Sequence, residues 1–251
     1  MTYPRKIGVL FALPCEESGL RRVLEDSHVS SWQRDGVTTW AARNVDLLVL
    51  VSGMGPKRSA NAAEALLRAG AELVVCAGLA AGLDPKAGVG DVVVANRVLS
   101  LDDGGECVRC SQNLMSSLPP SGAFGFPIKL CDLVTIGHVV RGRDEKAGIN
   151  RSTGAAALDM ESYSAGEVCR RRGVPFAAVR AISDTAEQDL PGVVGALSTT
   201  DSALRRAALA LTAPQSWLPL LRLRRQTRIA ATNLGEVLAT MLVRMGSFGQ
   251  G

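Results

Sequence analysis

No run of the sequence approaches the roughly 20 apolar residues that a membrane-spanning helix requires, and Met1–Arg5 opens without an apolar segment of signal-peptide length. Lys6–Leu13 is too short to serve, and Pro14 interrupts it. A cytoplasmic chain with no membrane span is expected. Aromatic residues make up only 4% of the chain, and the arginines cluster at Arg170–Arg172 and Arg222–Arg228 without alternating with them. Such runs are usually solvated helix faces, so neither nucleic-acid nor membrane binding is expected. The net charge, +4 over 251 residues, is small.

Several motifs are also missing. No Gly-Lys-Ser/Thr occurs, and the glycine spacings fit neither a phosphate loop nor a dinucleotide fingerprint. Cys107-Val-Arg-Cys110 has the spacing of half a zinc knuckle, but only Cys131 and His138 follow nearby, at irregular spacing. Cys107 and Cys110 are therefore read as reduced thiols in an irregular loop, and Cys15, Cys76, Cys131 and Cys169 as small buried hydrophobes. Neither a metal nor an organic cofactor is expected. No internal repeat is visible.

What the sequence does contain is a globular composition, 47% hydrophobic and 21% charged, sufficient for one core. Apolar runs predict strands over Lys6–Ala12, Val45–Ser52, Glu72–Ala77, Asp91–Val98, Lys129–Val140, Gly154–Met160 and Pro175–Ile182. Helical spacing predicts helices over Glu16–Leu24, Ser59–Arg68, Tyr163–Arg172, Ser202–Leu211 and Leu218–Leu242. Strands alternating with helices imply a mostly parallel sheet covered on both faces. Leu101–Pro127 and Gly192–Thr200, rich in glycine, proline and polar residues, are expected as loops.

Two acidic groups stand where strands end. Val179-Arg180-Ala181-Ile182-Ser183-Asp184 places Asp184 at the mouth of a buried strand, and Asp159-Met160-Glu161-Ser162 places Glu161 at a strand-to-helix junction. The mundane alternative is that Asp184 caps a helix and Glu161 lies in a solvated first turn. Glycine turns follow two further strands, at Ser52-Gly53-Met54-Gly55 and Ala77-Gly78-Leu79-Ala80-Ala81-Gly82, and let the backbone approach a ligand. With Glu16 they outline one rim, the side of an open α/β sheet on which ligands bind.

In this order, with Gly90-Asp91-Val92-Val93 between them, these segments resemble the methylthioadenosine/S-adenosylhomocysteine nucleosidases of the nucleoside phosphorylase superfamily over about residues 5–190. Asp159-Met160-Glu161-Ser162, Glu145-Lys146, Leu190-Pro191 and the basic helical tail look more like the hopanoid-associated group, implicated in removing adenine from adenosylhopane. The resemblance implies a three-layer α/β/α sandwich around a mostly parallel or mixed sheet. Residues 1–212 would form the catalytic domain and 213–251 a C-terminal helical extension packed on it. The implied substrate is a small-molecule purine nucleoside, the acceptor water or phosphate, and the assembly a homo-oligomer.

The same resemblance assigns roles. Asp184 would protonate or hydrogen-bond N7 of the purine so that the base leaves, a task suited to a carboxyl group that burial helps to keep protonated. Glu161 would hold the ribose hydroxyls, with Met160 against the sugar. Glu16 would polarise the attacking water, Arg180 would anchor its surroundings, and Ser183 would support Asp184. Gly53 and the backbone at Gly78, Leu79 and Ala80 would line the site. Leu79 stands where the nucleosidases carry serine, so one contact to the water or sugar is missing. Cys76 and Leu79 also stand where phosphorylases place an arginine and a serine or threonine, and the loss of both favours hydrolysis, whereas Arg141 and Arg143 keep phosphorolysis open. Leu79, with Phe124 and Phe126 in the preceding loop, would suit an apolar 5′ substituent. From another class, a non-catalytic nucleoside-binding protein also remains open.

Overall fold

A computed structural model of the chain describes residues 4–41, 45–111, 118, 122–192 and 217–244. Among these, strands β1 (Lys6–Phe11), β4 (Asp46–Val51), β5 (Leu73–Gly82), β6 (Val92–Ser100), β8 (Ile128–Thr135), β9 (Ala157–Asp159) and β10 (Phe176–Asp184) occupy the expected segments. The hairpin β2 (Ser30–Arg34) and β3 (Val37–Ala41), and the short β7 (Cys107–Arg109), come in addition. The helices are α1 (Pro14–Asp26), α2 (Pro56–Arg68), α3 (Arg143–Thr153), α4 (Ser162–Arg172) and α5 (Trp217–Arg244). The expected helix Ser202–Leu211 and nearly all of the loop Gly192–Thr200 lie outside the described residues.

The sheet is mixed, and half of it closes on itself. β5 pairs in parallel with both β1 and β10, while its last two residues turn antiparallel against β9. β10 then pairs with β6, β6 with β8, and β8 with β9, which completes a ring. β1, β4, β3 and β2 continue from β5 as an open wing. The ten-residue length of β5 lets one strand belong to both halves.

Alternation along the strands separates two cores, because successive side chains point to opposite faces. Ile7, Val9 and Phe11 join Val75, Val179 and the helices α1 and α5 on one face. Leu10, Val74, Cys76 and Ala178 join α2 and α4 on the other. α5 covers its face with Ala230, Leu234, Val237, Leu238, Met241 and Leu242, all fully or nearly buried. Each such leucine contributes about 1.5–3 kcal/mol relative to exposure. α1 and α5 cross where Gly19 meets Gly235, and a Cβ on either would run into the other helix's backbone.

Three local differences from expectation have simple causes. The β2–β3 hairpin is signalled by Asp35-Gly36, whose φ angles of 51° and 80° suit a type I′ turn. The stretch expected as a loop from Leu101 contains β7, which pairs with the far end of β6. β8 stops at Thr135 rather than Val140, and the charged segment after it becomes α3. Cys107 is exposed and Cys110 buried, the alternation of an extended segment, and both are free thiols.

Candidate active site

Strand ends converge on one pocket of about 220 Å³. Its apolar walls include Leu13, Met54, Val139, Val140, Leu190 and Leu223, and its acidic groups include Glu16, Glu161 and Asp184. A larger hollow of about 560 Å³ lies on the open wing between β3 and α2, away from these carboxylates. The smaller pocket is the chemically equipped one.

Asp184 ends β10 just after a register shift, where Ser183 bulges between Ile182 and Asp184. Neither caps a helix: Ser183 Oγ donates to Asp184 Oδ1 at 2.7 Å. The other oxygen, Oδ2, accepts from Lys146 Nζ at 2.6 Å. Lys146 is completely buried, and its ammonium also donates to the carbonyls of Thr185 at 2.9 Å and Gln188 at 3.0 Å. Three donors meet three acceptors, so the lysine is fully satisfied where it lies. No role for Lys146 is readable from sequence, since it sits in a charged run that resembles a solvated helix face.

Glu161 stands at the N-cap of α4, yet its carboxylate turns away from the helix and accepts from the Gly55 amide at 2.8 Å. Its backbone carbonyl accepts from Ser59 Oγ at 3.1 Å, which ties the start of α4 to α2. Asp159, not Glu161, receives the first amides of α4, through Ser162 N at 3.2 Å. It also accepts from Thr135 Oγ1 at 2.5 Å and pairs with Arg180 at 2.7 Å.

Arg180 is fully buried on the face of β10 that looks toward α4. Its Nη2 reaches Asp159 Oδ2 and, at 3.0 Å, Ser162 Oγ, while Glu161 Oε2 stands 3.9 Å away. Nη1 has no hydrogen-bond partner among the described residues. That atom overlies Gly78, where a Cβ would collide with it and would stand 2.9 Å from Glu16 Oε1. Glycine at 78 is thus required for the guanidinium and the Glu16 carboxylate to share one spot.

Glu16, in the first turn of α1, accepts from the amides of Ala12 at 2.9 Å and Leu13 at 2.8 Å through Oε2, and from Leu79 at 2.9 Å through Oε1. The Leu79 amide is committed to Glu16, and Oε1 keeps lone-pair capacity for a further donor. Glu16, Leu79, Ala80, Met160, Glu161, Ser183 and Asp184 line the pocket; Gly53, Gly78 and Arg180 lie behind it. The Gly53 amide is bonded to the Ala12 carbonyl at 2.9 Å, as a strut between strand ends. Val139, Val140, Leu223 and Thr227 join the lining without having been singled out in the sequence; His138 and Leu190 join it as well. Arg141 donates to the Gly192 carbonyl at 3.1 Å, Arg143 is exposed, and neither borders the pocket. Phe124 and Phe126 stack on each other at 5.2 Å and pack against the core cluster that α1 and α5 join, outside the pocket lining.

Burial pushes the Glu161 carboxyl up to about 7, against the opposing pull of Arg180. Burial raises Glu16 as well, against Arg180 and its three amide donors. A carboxyl raised above its unfolded value near 4.5 adds stability that is complete below that value and is lost as pH rises through the folded one. Unfolding free energy from urea titrations should fall between pH 4.5 and about 7. Glu161→Gln should flatten that slope; an unchanged slope would show that Glu161 is not the group responsible.

A family model of the phosphorylase superfamily matches residues 6–124 and 121–213. The chain belongs to the phosphorylase superfamily. Solved structures with the superfamily fold include a futalosine hydrolase of Helicobacter pylori, with a TM-score of 0.72, 18% identity and coverage of 95% of this chain and 97% of that one. A 5′-methylthioadenosine/S-adenosylhomocysteine nucleosidase of Colwellia psychrerythraea, in complex with adenine, gives a TM-score of 0.73 at 18% identity over 100% of both chains. An S-adenosylhomocysteine nucleosidase of Streptococcus pyogenes gives 0.71 at 21% identity, over 96% of this chain and 97% of that one. These likenesses establish a common fold. Membership of the superfamily extends from β1 to residue 213, which leaves α5 outside the matched span. None of the described helices is long and apolar enough to cross a membrane.

Proposed function

We propose that the protein is a nucleosidase that cleaves the N-ribosidic bond of a 5′-substituted adenine nucleoside and releases adenine, with water as acceptor. The observation that carries this reading is the meeting of Glu16, Glu161 and Asp184 in one pocket with apolar walls. Bond cleavage puts positive charge on the sugar and negative charge on the departing base, so a donor is needed at one end and an anion at the other. Asp184 is assigned to N7 of the base. The Lys146 ammonium is the counter-charge of that carboxylate at rest and again once a proton has passed through it to N7. Glu161 is assigned to the ribose hydroxyls and the cationic sugar, and Met160 to the sugar face.

Glu16 is assigned to the attacking water. Its raised pKa makes it a stronger base, and Arg180, buried and outside the pocket lining, anchors its surroundings. Water is favoured over phosphate because Cys76 and Leu79 offer neither cation nor hydroxyl, and Arg141 and Arg143 do not border the pocket. A like-charged pair about 4 Å apart costs on the order of 1–4 kcal/mol, which disfavours a phosphate dianion beside Glu16. The apolar walls suit an apolar 5′ substituent, and the motif resemblance makes adenosylhopane, in hopanoid biosynthesis, the substrate we favour.

Purified protein incubated with adenine nucleosides in phosphate buffer should release adenine together with free ribose or its 5′-substituted form. A sugar 1-phosphate as the main product would make the enzyme a phosphorylase. Binding of the nucleosides without adenine release under any condition would make it a non-catalytic binder.

A further inference from the structure

The outer face of the first turns of α5 carries a pattern that the pocket does not use. At about 100° per residue, Leu223, Gln226, Thr227, Ala230 and Leu234 fall on the inward side of α5, and the same residues are buried or half-buried. On the opposite side stand Leu218 and Leu221, which are 80% and 60% exposed, and at its edge Ile229, 39% exposed, whose side chain reaches the Gly90 turn. Between them project Arg222, Arg225 and Arg228, all exposed and in no ion pair with the described residues. The charge is regional: residues 202–251 hold seven arginines against one acid, Glu236, for a net +6, whereas the whole chain is only +4 and residues 1–201 therefore net −2.

Exposed leucines spaced among arginines that pair with none of the described residues fit one kind of surface. In an isologous contact a second copy of the chain would bring the same three arginines up to this face, and like charges set together repel. Nucleic acid would satisfy the arginines and leave the leucines in water. An anionic bilayer accommodates both, with headgroup phosphates around the guanidinium groups and acyl chains around the leucines.

The inward side of the same turns is a wall of the pocket, through Leu223 and Thr227. A volume of about 220 Å³ suits a nucleoside but not a large hydrocarbon attached to it. The remainder of such a substrate must extend beyond the pocket, one wall of which is α5.

We propose that the first turns of α5 dock this enzyme on an anionic lipid bilayer through Leu218, Leu221, Ile229, Arg222, Arg225 and Arg228, so that the pocket receives a nucleoside whose 5′ hydrocarbon stays dissolved in that bilayer. The substrate half of this statement rests on the nucleosidase reading above; the docking half does not. The full chain should co-sediment with phosphatidylcholine vesicles containing phosphatidylglycerol and not with phosphatidylcholine alone, and added salt should weaken the binding. Leu218→Glu with Leu221→Glu should lower partitioning at least about tenfold. Arg222→Gln, Arg225→Gln and Arg228→Gln together should lower it about a hundredfold, at roughly fivefold per arginine. Both variants should keep the wild-type circular dichroism and the wild-type rate on water-soluble 5′-methylthioadenosine.

Wild-type protein that ignores the anionic vesicles overturns the proposal, as does binding that survives the leucine changes and so reflects surface adsorption alone. A wild-type oligomer that light scattering shows dissociating in the leucine variant would assign this face to a second copy, and also overturns it. Leucine-dependent vesicle binding by a protein that releases adenine from no nucleoside would uphold the docking and sink the nucleosidase reading.

Discussion

Asp184→Asn is expected to lower adenine release by about 10²- to 10⁴-fold, the usual span for removing a positioned acid or base. The amide keeps the shape of the side chain and an acceptor oxygen but cannot take up a proton and pass it to N7. Ser183 Oγ and Lys146 Nζ hold the native carboxyl from either side, at 2.7 and 2.6 Å, so the substituted group should be oriented much as before. The loss should therefore appear in kcat more than in KM, because an interaction made only as the base departs is the one removed. Steady-state rates on adenosine and 5′-methylthioadenosine test this. A variant that keeps more than half of the wild-type kcat would falsify the assignment of Asp184.

The same substitution leaves a buried ammonium without its counter-charge, which leads to the second large effect. Lys146→Met should cost about 3–5 kcal/mol of stability, the penalty for stranding one member of a buried ion pair. Lys146 has no exposed surface, and the Asp184 side chain is 5% exposed, so solvent cannot replace the missing partner. Removing both charges should be far milder than adding the two single losses, because the double variant strands neither ion. Urea unfolding of wild type, Lys146→Met, Asp184→Asn and the double variant gives the coupling directly. Additive losses would mean that the 2.6 Å contact does not link the two groups energetically. The double variant also protects the first prediction: folded and as inactive as Asp184→Asn, it separates lost chemistry from lost structure.

Much of the architecture was legible because strand periodicity is a local property. Ile7, Val9 and Phe11 alternate with Gly8 and Leu10, and that alternation survives as two cores on two faces. The junctions Asp159-Met160-Glu161 and Ile182-Ser183-Asp184 were legible as strand ends for the same reason. The β2–β3 hairpin was equally available, since Asp35-Gly36 signals the turn directly. α3 was harder to see, because Arg143, Asp144, Glu145 and Arg151 make its sequence look like solvated coil while only Lys146 and Ile149 are buried.

The sequence by itself determined the α/β class, the covered sheet, and the acids that strand ends would carry to one rim, because each depends on residue type and spacing within a few positions. The tertiary structure alone decided the partners of those acids. Lys146 meets Asp184 across 38 residues, Gly55 meets Glu161 across 106, and Leu79 meets Glu16 across 63. It alone decided that β5 would close a ring with β9 and β10, that Arg180 would spend its charge on Asp159, and that Arg141 and Arg143 would stay clear of the pocket. The physical reason is that a buried charge is tolerable only beside a compensating one, and which segment supplies it depends on how the chain returns through space, not on what adjoins it in sequence.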